Sequence, residues 1–303
     1  MPTNTFSPDT IRICIVESLI PRSSSHFFVP ILDGHPELIT GFSQYYPDES
    51  LINQIGDYNL SGLAQLVFSR WRQEIPEEYS LDCIPFSYIE WEPHFILYIT
   101  KYGISRRNIF LALHYAIAES TGKEVSKIKW IVYHQHHFRY ENFIKDFLNN
   151  VRVILTVRDP RAAFWSCRKS VVKDQLLHFI FYTKFRTNSC HYQFIPYEQL
   201  PIRHEDLHTD YPSVRKMVCD FLSVSDSPEL DMATVFGHPW DGTHRDGACE
   251  SNFKIRSTVP DKRFVTEEWR EKLNWSDVFL IQLFLRGFMK RYGYNFGEKL
   301  RIP

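Results

Sequence analysis

Two short stretches hold residue types and spacings suited to gripping an anion. The first is Pro21-Arg22-Ser23-Ser24-Ser25-His26-Phe27. A guanidinium, three hydroxyls and the orphan N–H groups of a helix start would converge there on a group the size of a phosphate. It is not a Walker A loop, because no G-x-x-x-x-G-K-[ST] occurs in the chain. An ordinary capped helix start reads equally well from the same serines. The second stretch is Arg158-Asp159-Pro160-Arg161-Ala162-Ala163-Phe164-Trp165-Ser166. Arg158 at a strand end and Ser166 on the following helix would clamp a second phosphate. A plain strand-to-helix turn with proline at N1 is the alternative. Together the two stretches describe a ligand with two separated phosphate-like groups.

A third cluster is His134-Gln135-His136-His137. An imidazole titrates near neutral pH, which suits a general base. His-x-His on a strand also puts two imidazoles on one face, the start of a zinc site, but no Cys, Asp or Glu stands nearby at a companion spacing. No metal is therefore expected. Lys254, Arg256, Lys262 and Arg263 form a basic group near the carboxyl end, readable as a solvated loop or as an anion contact.

The elements that position these residues follow from hydrophobic periodicity. Ile11–Glu17 is a β-branched run and predicts a buried strand, and His26–Leu32 predicts a helix behind the serine-rich turn. Ser61–Gln73, Ile89–Lys101 and Asn108–Ser120 repeat apolar residues at helical intervals. Lys127–Tyr133 and Val151–Val157 predict strands, and residues 139–148 between them a helix, which together make a βαβ unit with parallel strands. Helices follow at Ala162–Lys173, Leu176–Phe185 and Pro212–Leu222, with a weak strand at Gln193–Pro196. Ser225–Asp261 is read as a long irregular segment, and Thr266–Leu273 and Ser276–Tyr292 as closing helices. The expected fold is α/β: a P-loop-like three-layer domain with a central, mostly parallel sheet flanked by helices. One domain over residues 1–303 is expected, with a helical acceptor-side insertion at about 42–125.

Composition narrows the function. Lys plus Arg is 35 against 36 for Asp plus Glu, a net charge of −1, which argues against nucleic acid or an anionic membrane as the main partner. The six cysteines are scattered with no C-x-x-C pair, as in a reducing compartment, and the polar amino terminus lacks a signal-peptide core. No run of about 18 apolar residues exists to span a membrane. A cytoplasmic protein is expected.

At this point the sequence resembles the sulfotransferases. PRSSSHF is similar to their 5′-phosphosulfate loop, P-[KR]-S-G-[ST]-[ST], and Ile31-Leu32-Asp33-Gly34-His35-Pro36-Glu37 to the L-L-D-x-H-P-E continuation of carbohydrate and tyrosylprotein members. RDPRAAFWS resembles the 3′-phosphate motif R-D-P-R-x-x-x-x-S. Ile202-Arg203-His204-Glu205-Asp206-Leu207, Trp269-Arg270 and Tyr292-Gly293-Tyr294 are similar to later segments of the family pattern. The resemblance implies transfer of a sulfuryl group from 3′-phosphoadenosine 5′-phosphosulfate to a hydroxyl or amine of a small-molecule, carbohydrate or lipid-like acceptor. It implies that Arg22, Ser23, Ser24, Ser25, His26 and Phe27 hold the 5′ end of the donor, with Phe27 against the adenine. Arg158 and Ser166, with Arg256, would hold the 3′-phosphate. Where cytosolic members carry K-T-H-L-P, this chain places the catalytic histidine at His136 and has His134 for the lysine. Asp48 and Glu49 stand beyond Phe42-Ser43, where other members carry a glutamate base. Ser24 replaces the loop glycine. A nucleotide-dependent kinase and a noncatalytic nucleotide-binding relative are the alternatives. The aromatic residues Tyr45, Tyr46, Tyr58, Trp71, Tyr88 and Trp91 suit either an acceptor site or a core.

Overall fold

The computed structural model describes residues 6–54, 59–76, 79, 84–135, 146–147, 150–170, 176–188, 197–240, 262–265 and 267–296. Its centre is a five-stranded sheet: β1 (Arg12–Ser18), β2 (Leu38–Thr40), β3 (Trp130–Gln135), β4 (Val151–Val157) and β5 (Glu198–Arg203), in the order β2-β3-β1-β4-β5. The sheet is parallel, with Leu38, Ile39 and Thr40 of β2 opposite Trp130, Ile131 and Val132 of β3. β1 is buried at every position after Arg12, and β4 is buried at all but Arg152. That is why both read as continuous apolar runs rather than alternating ones. β5 is an edge strand, half-exposed, and carries Pro201 where no ladder donor is needed.

The chain divides into two compact units, and the division passes through β1 and β4. The first comprises residues 1–15, 26–152 and 219–259. It holds α1 (Ser25–Asp33) from its second residue on, α2 (Glu49–Gln54), α3 (Leu60–Gln73), α4 (Tyr88–Tyr102) and α5 (Arg106–Ser120). Local chemistry sets their ends. Asn59 caps α3 through Gly62 N–H (2.8 Å), Ser87 and Glu90 form a reciprocal capping box on α4, and Ser105 accepts from Asn108 N–H (3.1 Å) on α5. Pro30 inside α1 cannot donate to the carbonyl of His26, and the hydroxyl of Tyr79 takes that acceptor at 2.9 Å. Lys123 folds its ammonium over the end of the same helix and donates to the carbonyls of Asp33, His35 (3.2 Å) and Leu38 (2.9 Å). The core of this unit is aromatic. Trp71 and Trp91 are wholly buried, Phe68 lies between them with ring centroids 5.4 and 5.1 Å away, and the indole of Trp71 donates to Gly41 O (2.8 Å). Tyr45, Trp71 and Trp91 are thus core residues and not a stacking surface for an acceptor.

The second unit comprises residues 16–25, 153–218 and 260–303. It contains α6 (Pro160–Ser170), α7 (Leu176–Asn188), α8 (His204–Thr209), the first part of α9 (Tyr211–Leu222), α10 (Trp269–Lys272), α11 (Trp275–Phe284) and α12 (Arg286–Arg291). The predicted closing helix at Ser276–Tyr292 is two helices, because the backbone leaves helical geometry at Leu285. Within Ser225–Asp261 the described residues contain a short antiparallel pair, β6 (Thr234–Val235) with β7 (His238–Pro239), in the first unit. The predicted helix at 139–148 and the weak strand at Gln193–Pro196 fall almost entirely outside the described residues.

Candidate active site

Arg22, Ser23 and Ser24 lie in the turn between β1 and α1, which Ser25 opens, and Arg158 to Ser166 follow β4 directly. The second unit brings the two stretches into contact. Arg22 Nε donates to Ser166 Oγ at 3.3 Å, and Arg158 Nη1 donates to the backbone carbonyl of Arg22 at 2.9 Å. The loop is sharply bent, with φ of +64° at Arg22 and +69° at Ser24, a conformation glycine accepts most readily. The serine that replaces glycine therefore adopts the glycine conformation.

Each serine hydroxyl of the loop has an internal partner. Ser23 Oγ pairs with Thr156 Oγ1 (2.9 Å), Ser18 Oγ donates to Ser25 Oγ (2.6 Å), and Ser24 Oγ lies 2.6 Å from His204 Nδ1. Ser23 and Ser25 are buried, whereas Arg22 is exposed. A helix start with inward-tied serines leaves its N–H groups and the Arg22 guanidinium as the groups that can meet an anion.

Arg158 is 8% exposed, and its Nε, buried, has no hydrogen-bond partner in the structure. Burial lowers its proton affinity below that of an ordinary guanidinium, an effect that the neighbouring carboxylate of Glu205 offsets. A buried guanidinium with one uncommitted N–H beside a second arginine is a fit for a bound oxyanion, which would supply the missing acceptor. Asp159 has another task. It accepts the N–H of Arg161 (2.9 Å), so it caps α6, and it holds the Arg161 guanidinium, which lies 4.3 Å over the ring of Trp269. The backbone N–H of Asp159 donates to Glu205 Oε1, and Tyr294 OH donates to Glu205 Oε2, both at 2.9 Å. The scattered motifs RDPR, RHEDL, WR and YGY thus meet around one strand-to-helix turn.

The other anticipated residues lie in the first unit or beyond the described residues. His26 and Phe27 open α1 in the first unit. The His26 ring packs edge-on against His134 with centroids 4.6 Å apart, and Phe27 lies 6.1 Å from Trp240. His134 is buried near the end of β3, one residue past the predicted strand end at Tyr133, since β3 runs to Gln135. His136, His137 and Arg256 lie outside the described residues. Asp48 accepts from Leu51 N–H and Ser50 Oγ, both at 2.7 Å, so it caps α2. His35 accepts from Glu37 N–H at Nδ1 (3.0 Å) and donates from Nε2 to Ser225 O (2.8 Å), while Asp33 accepts from Thr40, Thr234 and Gly237 N–H. The L-D-G-H-P-E-like segment is thereby stitched to residues 225–237. Sequence reasoning passed over His204 and Glu205 as site neighbours; their only signal was membership of the RHEDL segment.

A family model described as "Sulfotransferase family" matches residues 20–228. No curated protein matches the chain. Among solved structures, the chain is similar to the sulfotransferase domain from the Synechococcus PCC 7002 olefin synthase, with 18% identity, TM-score 0.55, and 94% of this chain and 95% of that one covered. It is similar also to the sulfotransferase domain from the curacin biosynthetic pathway, with 17% identity, TM-score 0.55, and 94% and 98% covered. At such identities the two neighbours speak to the fold alone, and they share its α/β architecture. No helix among the described residues is long and apolar enough to cross a membrane. The matched span covers both Pro21–Phe27 and Arg158–Ser166 and more than half of the chain, and the protein belongs to the sulfotransferase family.

Proposed function

We propose that this sulfotransferase uses 3′-phosphoadenosine 5′-phosphosulfate as donor and transfers the sulfuryl group to a hydroxyl or amine of a small-molecule acceptor. The donor supplies an activated sulfuryl group on a phosphate leaving group. The chain supplies placement and charge. As the bond from sulfur to the bridging phosphate oxygen breaks, that oxygen gains negative charge, and Arg22 with the loop N–H groups binds it more strongly in the transition state than in the ground state. Arg158 and Ser166 hold the 3′-phosphate, and Arg256 adds a contact to it. Ser23, Ser24 and Ser25 shape the loop, and Phe27 meets the adenine. The acceptor oxygen bonds to sulfur and its proton passes to the imidazole of His136. His134, in place of the usual lysine, assists the leaving group. A single-domain, cytoplasmic enzyme completes the reading.

The observation that carries this proposal is the meeting of Arg22, Arg158 and Ser166, with a buried Arg158 N–H still lacking an acceptor. Calorimetry with 3′-phosphoadenosine 5′-phosphate tests it. Wild type should bind in preference to ATP, and Arg158→Lys, which keeps the charge but not the fork that holds both the Arg22 carbonyl and a phosphate, should bind about tenfold more weakly or worse. Arg22→Ala should slow acceptor-independent breakdown of the donor more than it weakens product binding. No binding by wild type, or preference for ATP, would refute the donor assignment.

A further inference from the structure

Ser24 sits at φ +69°, a left-handed conformation that an L side chain disfavours. Something must hold it there. Its Oγ lies 2.6 Å from Nδ1 of His204, and His204 Nε2 lies 3.1 Å from the carbonyl oxygen of Phe264. A carbonyl only accepts, so Nε2 carries the proton, Nδ1 is the acceptor, and the Ser24 hydroxyl donates. His204 is 4% exposed, at the start of α8 directly after β5, and Phe264 ends a 3-10 turn at Lys262–Phe264. Burial, and then the charges of Arg158 and His208, hold the imidazole well below its ordinary proton affinity, which keeps the neutral form that the bond requires.

We propose that His204 is a positioning residue: by accepting from Ser24 it locks the anion loop in a glycine-like conformation that serine does not favour on its own. The inference rests on the donor reading above only for the ligand that the loop holds. One chemical consequence follows for the loop. The Ser24 proton is committed to the imidazole, so Ser24 serves an anion through its backbone N–H.

The test is a cycle on the full chain with Ser24→Gly, His204→Ala and the double variant, together with His204→Asn. Affinity for 3′-phosphoadenosine 5′-phosphate and thermal midpoint are read for each. His204→Ala should weaken binding about tenfold, the size of one lost hydrogen bond to a strained loop. His204→Asn places Oδ1 where Nδ1 was and should recover binding to within about threefold of wild type. Ser24→Gly, free to adopt φ +69°, should make His204→Ala silent, so that the double variant binds as the Ser24→Gly single variant does. An equal loss from His204→Ala in both backgrounds overturns the proposal. Nitrogen NMR of labelled histidine in the unliganded protein gives a second reading: a proton on Nε2 supports it, and a proton on Nδ1 overturns it. If wild type binds no 3′-phosphoadenosine 5′-phosphate, the donor reading falls, and the midpoint cycle and the tautomer still decide the role of His204.

Discussion

Glu205 accepts from Asp159 N–H and from Tyr294 OH, and it stands beside the buried Arg158. Glu205→Ala would strip both donors of their acceptor inside a largely water-free turn. At about 1–3 kcal/mol for each orphaned group, with partial relief from relaxation, the loss should be about 3 kcal/mol. For a chain of this size that is roughly a 9 °C fall in thermal midpoint, at about 2–4 °C per kcal/mol. Glu205→Gln keeps an acceptor for Asp159 and can donate to the Tyr294 oxygen, so its loss should stay below about 1 kcal/mol. The pH dependence has a definite sign. Burial raises the Glu205 carboxyl above its ordinary 4.5, outweighing the hydrogen bonds that lower it. The folded state therefore holds a proton that the unfolded state releases, and the contribution of Glu205 is full below 4.5 and lost as pH rises through the raised value. Measured against the non-titrating Gln variant, wild type should gain stability as pH falls toward 4.5. Urea unfolding at a series of pH values, with unchanged m, measures all three quantities. An Ala variant within 0.5 kcal/mol of wild type, or a Gln variant as damaged as Ala, would refute the account of this turn (the ~0.5 kcal/mol scale being that of neutral surface changes).

Two other outcomes bear on the first unit and on acid stability. A Cβ at Gly41 would stand 2.7 Å from Nε2 of the buried His114, whose Nδ1 is tied to Phe110 O at 2.9 Å, so Gly41→Ala should cost about 1–3 kcal/mol in chemical unfolding. A cost near zero would mean that the ring swings aside freely. Burial lowers the proton affinity of His35 and His204, and that of His114 to about 4. Their stabilisation is present above the unfolded value of 6.5 and is lost as pH falls through the lowered values. Between those limits stability should fall with acid by up to about 1.4 kcal/mol per pH unit for each histidine. His114→Asn should flatten that slope, and an unchanged slope would exclude His114 as a contributor.

The parts of the fold that were legible in the sequence are those where burial alone dictates composition. β4 lies at the predicted Val151–Val157, and β1 and α1 lie within one residue of their predicted ends, because both strands are buried on two faces. β3 begins later and ends later than the predicted Lys127–Tyr133, since Val125–Lys127 forms a 3-10 turn instead. β2 is only three residues long and gives no periodic signal, and β5 is an edge strand whose half-exposure and proline hide it. Of the site, the two strand-to-helix turns could be read from residue order. Their contact through Arg22, Arg158 and Ser166 could not, because it depends on which strands the sheet places side by side. The same holds for Ser24 and His204, 180 positions apart in sequence.

Lys123 has a practical consequence. Its ammonium is spent on the carbonyls of Asp33, the last residue of α1, and of His35 and Leu38 just beyond it, so an acylating reagent finds no exposed amine lone pair there. Lysines on the surface will be derivatised first, and modification of Lys123 will mark the moment at which the end of that helix comes undone.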